Sequence, residues 1–299
     1  MYSRRYFGKM ALAGWPLASA LAKINSTVDG VRLGVQTYSF RDFDAATFAD
    51  RVSKTMTDLG LGECELQFPR GRMDGGRGQT MDAAARKAAA EQARKQRLTI
   101  PMDYYRQAGK KFKDAGIEVF AYNAMFVPAD SDQDLNREFE IAKAVGAQIV
   151  ASSTTLSVAK RLAPLAENHK MLVALHGHSG VSEPDQFATP ESFAAGIAMS
   201  KYFRTNLDIG HFWAGGYDPV AYIEEHHSQI THIHLKDRVK NQGPNTPWGE
   251  GDTPIKPVLQ LLKQKKYPMR AYIEYEYKGS GTSPEEVRKC FEYCRAALA

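Results

Sequence analysis

Imidazoles and carboxylates recur at the ends of four short apolar runs: VALHGH (173–178), NLDIGH (206–211), THIHLKD (231–237) and AYIEYE (271–276). Imidazole nitrogens and carboxylate oxygens together hold a divalent cation, and this mix favours Mn, Co, Zn or Fe over Mg. Within the first run His176 and His178 are two residues apart and can face the same side. In the second, Asp208 closes a strand and His211 follows on a loop containing Gly210, Gly215 and Gly216, where it could reach a substrate as proton donor or hydroxyl binder. Asp208 could instead cap the turn that follows. The third run sets His232, His234 and Lys236 on one face and Asp237 on the other, placed to brace a ligand. The fourth sets Glu274 and Glu276 on the face of Tyr272, and a carboxylate on an apolar strand is costly unless paired or metal-bound. Glu63 and Glu65 in ECELQ (63–67) pose the same question.

Such residues act together only if the fold gathers them. Apolar runs that read as strands cover 31–39, 63–67, 117–123, 147–152, 171–176, 203–208, 230–235 and 269–275. Several are apolar on both faces, as in a covered parallel sheet. Helical patterns fall at 44–59, 132–145, 156–169, 190–202, 218–227, 255–266 and 283–298, and 80–115 holds two helices divided by Pro101. The first of these, 81–98, is rich in alanine and charge and reads as an exposed excursion. Asp218-Pro219, Thr189-Pro190 and Ser283-Pro284 are helix starts, with Pro following a capping residue. Eight strands alternating with helices indicate a closed (β/α)8 TIM barrel over residues 31–299, whose strand ends converge at one mouth. An open doubly wound sheet is the alternative, but no GxGxxG follows the first strand.

Composition narrows the partners. A chain of 299 residues, 43% of them apolar, can bury one large core. Arg4, Arg5 and Lys9 supply three of the net +5 charges, so the rest of the chain is too weakly basic to argue for nucleic acid. Those residues belong to SRRYFGK (3–9), which resembles a twin-arginine export signal, followed by the apolar stretch 10–22 and small residues suited to a signal peptidase. That stretch is shorter than the about 20 residues of a membrane span. Residues 1–22 are therefore expected to be a signal peptide and the mature protein periplasmic, with no membrane part. An ordinary amphipathic helix is the plainer alternative. Cys64, Cys290 and Cys294 form no disulfide framework. The sequence leaves a homo-oligomer open.

LDIGHF, HIHLKD, the loop WGEGDTPI (248–255) and YIEYE together resemble the xylose-isomerase-like TIM barrels, a family of sugar isomerases, ketose epimerases and inosose dehydratase. The resemblance implies one divalent metal held after strands five to eight. It maps the ligands onto His176, Asp208, His234 and Glu274, where His176 replaces the family's usual Glu and His178 is its rival for the same role. It also matches His211 to a substrate-binding His and Glu65 to a strand-two Glu.

The implied activity is proton abstraction next to a carbonyl of a carbohydrate, through a metal-stabilised enediolate. His178, Glu65 or Glu276 would be the base, and Lys236 or His211 would stabilise or protonate oxygen. Reprotonation gives isomerisation or epimerisation; loss of a β-substituent gives a dehydratase or a 3-keto-glycoside lyase. Replacing a metal-bound Glu by His removes one of two symmetric bases. A three-zinc endonuclease-IV-like phosphodiesterase would need more ligands than the sequence offers, and a periplasmic sugar-binding barrel without turnover is the non-catalytic alternative. Trp248 in its Gly- and Pro-rich loop, with Tyr122 and the aromatics Tyr38, Phe40, Phe126 and Phe212, could form a wall against a sugar ring.

Overall fold

The computed structural model describes residues 23–69 and 82–299, so the expected signal peptide over 1–22 lies outside the described residues. Eight parallel strands follow the apolar runs closely: β1 (Val31–Gln36), β2 (Glu63–Leu66), β3 (Glu118–Met125), β4 (Ile149–Ser153), β5 (Leu172–His176), β6 (Phe203–Asp208), β7 (Ile230–Leu235) and β8 (Arg270–Ile273). Each pairs with the next, and β1 pairs in parallel with β8 through Leu33 and Ala271, which closes the (β/α)8 TIM barrel. A two-residue strand, Thr27–Val28, adds an antiparallel hairpin ahead of β1.

The helices are α1 (Phe48–Leu59), α2 (Ala83–Thr99), α3 (Met102–Asp114), α4 (Asp132–Val145), α5 (Leu156–His169), α6 (Pro190–Ile197), α7 (Ile209–Ala214), α8 (Pro219–His226), α9 (Ile255–Lys265) and α10 (Ser283–Leu298). Their ends are written locally. Ser131 and Asp134 cap α4 reciprocally, as do Thr189 and Ser192 for α6. Thr282, rather than the expected Ser283, is the residue preceding α10, with Pro284 in the first turn. The loop expected at 209–216 is instead a short helix, because the Asp208 carboxylate accepts the His211 N–H at 2.7 Å and starts a turn. Helix α2 is not merely an exposed excursion. Arg94 donates to Asp134 of α4 at 2.7 Å, and Glu91, Arg94 and Arg97 line the barrel mouth. None of the described helices is long and apolar enough to cross a membrane.

Inside, the barrel is layered. At its floor Arg270 pairs with Glu63 and with Glu118, both at 2.7 Å, while its guanidinium sits 3.3 Å from the Phe120 ring centroid. Above lies an apolar layer of Phe120, Ala121, Ile149, Ala151, Ala174 and Tyr272. Gly34 makes room for it, since a Cβ there would come within 2.5 Å of the Tyr272 ring and of the Glu63 carbonyl. Higher still the lining turns polar, because the inward positions of β2, β3, β6 and β7 carry Glu65, Asn123, Asn206, His232 and His234.

The floor is a buried ion-pair cluster, and removing one member strands the others. Arg270→Ala is expected to destabilise the fold by about 3–5 kcal/mol, read as a lower urea midpoint; a change within experimental error would show that the floor carries no stability.

Candidate active site and metal centre

Four residues from four consecutive strands meet above the polar layer. His176 ends β5, Asp208 ends β6, His234 lies on β7 and Glu274 directly follows β8, and all four are buried. The register delivers them: Asp208 pairs with His234, and His234 with Tyr272, two residues before Glu274. Ligand-capable atoms of His176, Asp208 and His234 lie within 4.8 Å of one another. His234 Nδ1 is 3.1 Å from Glu274 Oε2.

One atom on each of these residues is buried without a well-aligned hydrogen bond: His176 Nδ1, Asp208 Oδ2, His234 Nδ1 and Glu274 Oε2. Asp208 Oδ2 and Glu274 Oε2 each stand 3.0 Å from Lys236 Nζ, and Glu274 Oε2 also faces His234 Nδ1, so charge contacts engage three of these atoms and leave His176 Nδ1 as the unpaired one of the four. Two imidazoles and two carboxylates drawn this close together are a donor set that fits a divalent cation. The alternative ligand His178 stands beside them, in a second group of metal-capable atoms with His176 and His211 that lie within 4.8 Å of one another. Its ring centroid is 5.0 Å from that of His176, and its side chain makes no hydrogen bond and opens on the cavity. His176, His178 and His234 all line the cavity, and of the three His178 alone is not fully buried.

Glu65 aims His234 from below. Its carboxylate accepts from His232 Nε2 at 2.5 Å, His234 Nε2 at 2.9 Å, Gln36 at 3.1 Å, Asn123 at 2.5 Å and Asn206 at 3.2 Å. With Nε2–H held by Glu65, Nδ1 of His234 points at the metal position. Burial alone would push the Glu65 carboxyl up, but the His234 charge and the hydrogen bonds from His232 and His234 hold it well below the usual range. It is fully buried and has five donors, so the geometry corrects its expected role as base to one of positioning.

Lys236 sits at the centre of the mouth. Its Nζ is 3.0 Å from Asp208 Oδ2, 3.0 Å from Glu274 Oε2, 2.6 Å from Glu276 Oε2 and 3.2 Å from His211 Nε2. Burial opposes its charge, but Asp208, Glu274 and Glu276 raise its pKa well above that of free lysine. His211 Nδ1 faces Arg238 at 2.7 Å, so both of its ring nitrogens meet cationic donors. Burial and those charges push His211 well below the ordinary imidazole value. A neutral imidazole has one acceptor nitrogen and one N–H, so His211 accepts from Lys236 or from Arg238 but not from both.

Burial, reinforced by His234 and His178, pushes His176 down to about 3, and His178 is lowered by burial and by Lys236. Burial would lower His234 too, but Glu65 and Glu274, one at each ring nitrogen, hold it up at about 10. The Asp208 and Glu274 carboxyls, pushed up by burial, are brought far below the usual range by Lys236 and the neighbouring histidines.

A cavity of about 1160 Å³ opens above these groups, lined by His176, His178, His211, His234, Lys236, Glu274 and Glu276 among others. Two expected wall residues are elsewhere. Tyr122 alternates with the inward Asn123, so it points out of the barrel, where its hydroxyl donates to Glu138 at 2.6 Å. Trp248 packs edge-on against Tyr293, 5.8 Å between centroids, because Asp237 gathers the N–H groups of Gly249, Gly251 and Thr253 and folds that loop away from the mouth. Asp237 thus braces a loop and not a metal ligand. Of the expected aromatics Tyr38 does line the cavity, and Gln36, Gln67, Phe68, Asn123, Met125, Ser179 and Arg238 line it without having been singled out as site residues. The alternation past Glu65 and Asn123 was the available signal for Gln67 and Met125.

A parallel barrel whose metal-capable residues rise from the last four strands is the architecture of the sugar-isomerase-like barrels. The chain belongs to the xylose isomerase-like TIM barrel family, which it matches over residues 57–297. It is similar to an inosose dehydratase of Clostridium tetani, 27% identical over 145 residues, 42% of this chain and 47% of that one. The chain thus spans about half the length of the curated relatives it matches. Among solved structures it resembles the IolI protein with a bound zinc atom (TM-score 0.64, 14% identity, covering 90% of this chain and 98% of that one). It also resembles a probable 3-DHS dehydratase, AsbF, of Bacillus anthracis (TM-score 0.63, 13% identity, covering 88% and 99%).

A cation bound through His234 Nδ1 must displace the proton that Glu65 and Glu274 keep on that ring, whose pKa is near 10. Affinity for Zn²⁺ or Mn²⁺ should therefore rise roughly tenfold per pH unit between about pH 6 and 8, with about one proton released per ion. Calorimetry in buffers of different ionisation enthalpy would read this, and a pH-independent affinity would remove His234 from the ligand set.

Proposed function

We propose that this chain is a divalent-metal-dependent carbon–oxygen lyase acting on a keto-cyclitol or keto-sugar, and that it works in the periplasm. The observation that carries the reading is the convergence of His176, Asp208, His234 and Glu274 beside the half-buried imidazole of His178. A cation held by His176, Asp208, His234 and Glu274 supplies positive charge that acidifies the carbon next to a carbonyl.

The chain's own groups then divide the work. His178, kept neutral by burial and by Lys236, takes the proton from that carbon. The electron pair forms a carbon–carbon double bond as the carbon–oxygen bond one position further breaks. Lys236 keeps its own proton, because three carboxylates hold it charged, and sets that positive charge beside the substrate's oxygens. The departing oxygen therefore takes back the proton that His178 removed, and the products are an unsaturated ketone and water or an alcohol. One residue serving as base and then acid places proton and leaving group on the same face of the ring.

Isomerisation or epimerisation would reprotonate the same intermediate at carbon. A shuttle of that kind uses two opposed bases, and here the strand-five position is His176, buried and facing the metal position, while Glu276 is 2.6 Å from Lys236. The similarity to an inosose dehydratase supports the eliminating outcome.

Incubation with inosose, 3-keto-glucosides and simple ketoses, with Mn²⁺ or Zn²⁺ present and followed by NMR, should show an unsaturated ketone that chelation abolishes. Epimerised ketose as the sole product would overturn the lyase reading. His178→Asn should lower kcat by about 10²- to 10⁴-fold while metal binding persists, whereas His176→Asn should lose the metal. Because His178 must be neutral to act and its pKa is lowered from 6.5, the acid limb of the rate should fall below pH 6.5, with activity lost as pH drops through it.

A further inference from the structure

One sugar ring against the metal position would leave most of the 1160 Å³ cavity empty. Pockets of about 300–1,000 Å³ suffice for drug-sized ligands. The remaining space is not wholly polar. Phe48, Phe68, Met125 and Val127 give its lining an apolar part.

This wall is built, not incidental. Met125 is 39% and Val127 42% exposed, two of the four large hydrophobic side chains left open to solvent among the described residues, and both face the cavity. Val127 is held in place by a tight turn: its N–H donates to Asp130 Oδ2 at 2.9 Å and its carbonyl accepts the Asp130 N–H at 3.0 Å. Phe68 is fixed by an aromatic cluster, edge-on to Tyr105 at 5.4 Å and near Tyr104 at 5.9 Å and Tyr122 at 6.2 Å. A preorganised apolar surface inside an otherwise polar cavity selects a ligand with an apolar part.

From this we infer that the substrate is a glycoside whose sugar lies at the metal position and whose leaving group is a flat, apolar aglycone seated between Phe68, Met125 and Val127. The inference rests on the lyase reading, since the bond broken would be the one joining sugar and aglycone. In that reaction the proton leaves the carbon beside the keto group, the new double bond forms within the sugar, and the aglycone departs as an alcohol carrying the returned proton. No redox partner is needed.

The test separates the wall from the chemistry. Phenyl and methyl β-glucoside, which lack the keto group and cannot eliminate, are titrated calorimetrically into the metal-loaded protein. The phenyl glucoside should bind about tenfold tighter or more, and Met125→Gln with Val127→Thr should bring its affinity down to that of the methyl glucoside. Equal affinities, or no binding of the phenyl glucoside, would overturn the proposal. The 3-keto forms are then assayed for cleavage: a phenyl preference in binding with no cleavage sinks the lyase reading while leaving the aglycone wall standing. Cleavage with no phenyl preference does the reverse.

Discussion

Four carboxylates crowd the upper interior of this barrel, and nearly everything else in the site answers to them. Glu65, Asp208 and Glu274 are buried, with Glu276 at the rim. Like charges so close in a poorly hydrated space repel strongly unless cations stand among them. Lys236 touches three of the four, Arg238 contributes from the rim, and His234 carries a proton between Glu65 and Glu274. Those three cations fall one charge short. Exchanging the His234 proton for a dication balances the set, so charge as well as the kind of donor atoms gathered there favours a divalent ion at this point.

The two halves of the barrel carry different duties. Strands β5 to β8 present the donors, while β2 and β3 supply what steadies and surrounds them. Glu65 and Asn123 orient His234 from below, and Phe68 and Met125 build the opposite wall. The glutamate on β2 therefore acts through the imidazole on β7, across the interior of the barrel. A carboxylate that accepts five hydrogen bonds has no lone pair free for a substrate proton, yet without it His234 could turn either nitrogen toward the cavity.

What the sequence made legible follows from period and position. Short β-rich runs marked all eight strands, several of them apolar on both faces as a covered parallel strand should be, and strand-end residues could be placed at the mouth without knowing a single contact. Alternation along β3 would have sent Tyr122 outward once Asn123 was seen to face in. Trp248 was harder, because the direction of its loop is decided by Asp237 collecting three backbone N–H groups many residues away. The helical turn at His211 arose from the same kind of contact, the Asp208 side chain capping backbone that glycines made look irregular. Lys236 was visible as a residue facing inward, but its place among three carboxylates depends on strand register, which no single run contains.

His176 is where the site's charge and its chemistry meet. An anionic donor at that position would add a fifth negative charge and a second base beside the metal. A neutral imidazole, pushed by burial to a pKa of about 3 and so unprotonated at working pH, does neither. In the proposed reading it would leave more of a bound cation's positive charge for the substrate and so sharpen the acidity of a carbon next to a carbonyl. In that reading it also leaves His178 to accept that proton and hand it on, while His211 stays between Lys236 and Arg238. A site with strong acidification and a single base suits elimination better than transfer of a proton between two carbons, and the same substitution accounts for both properties.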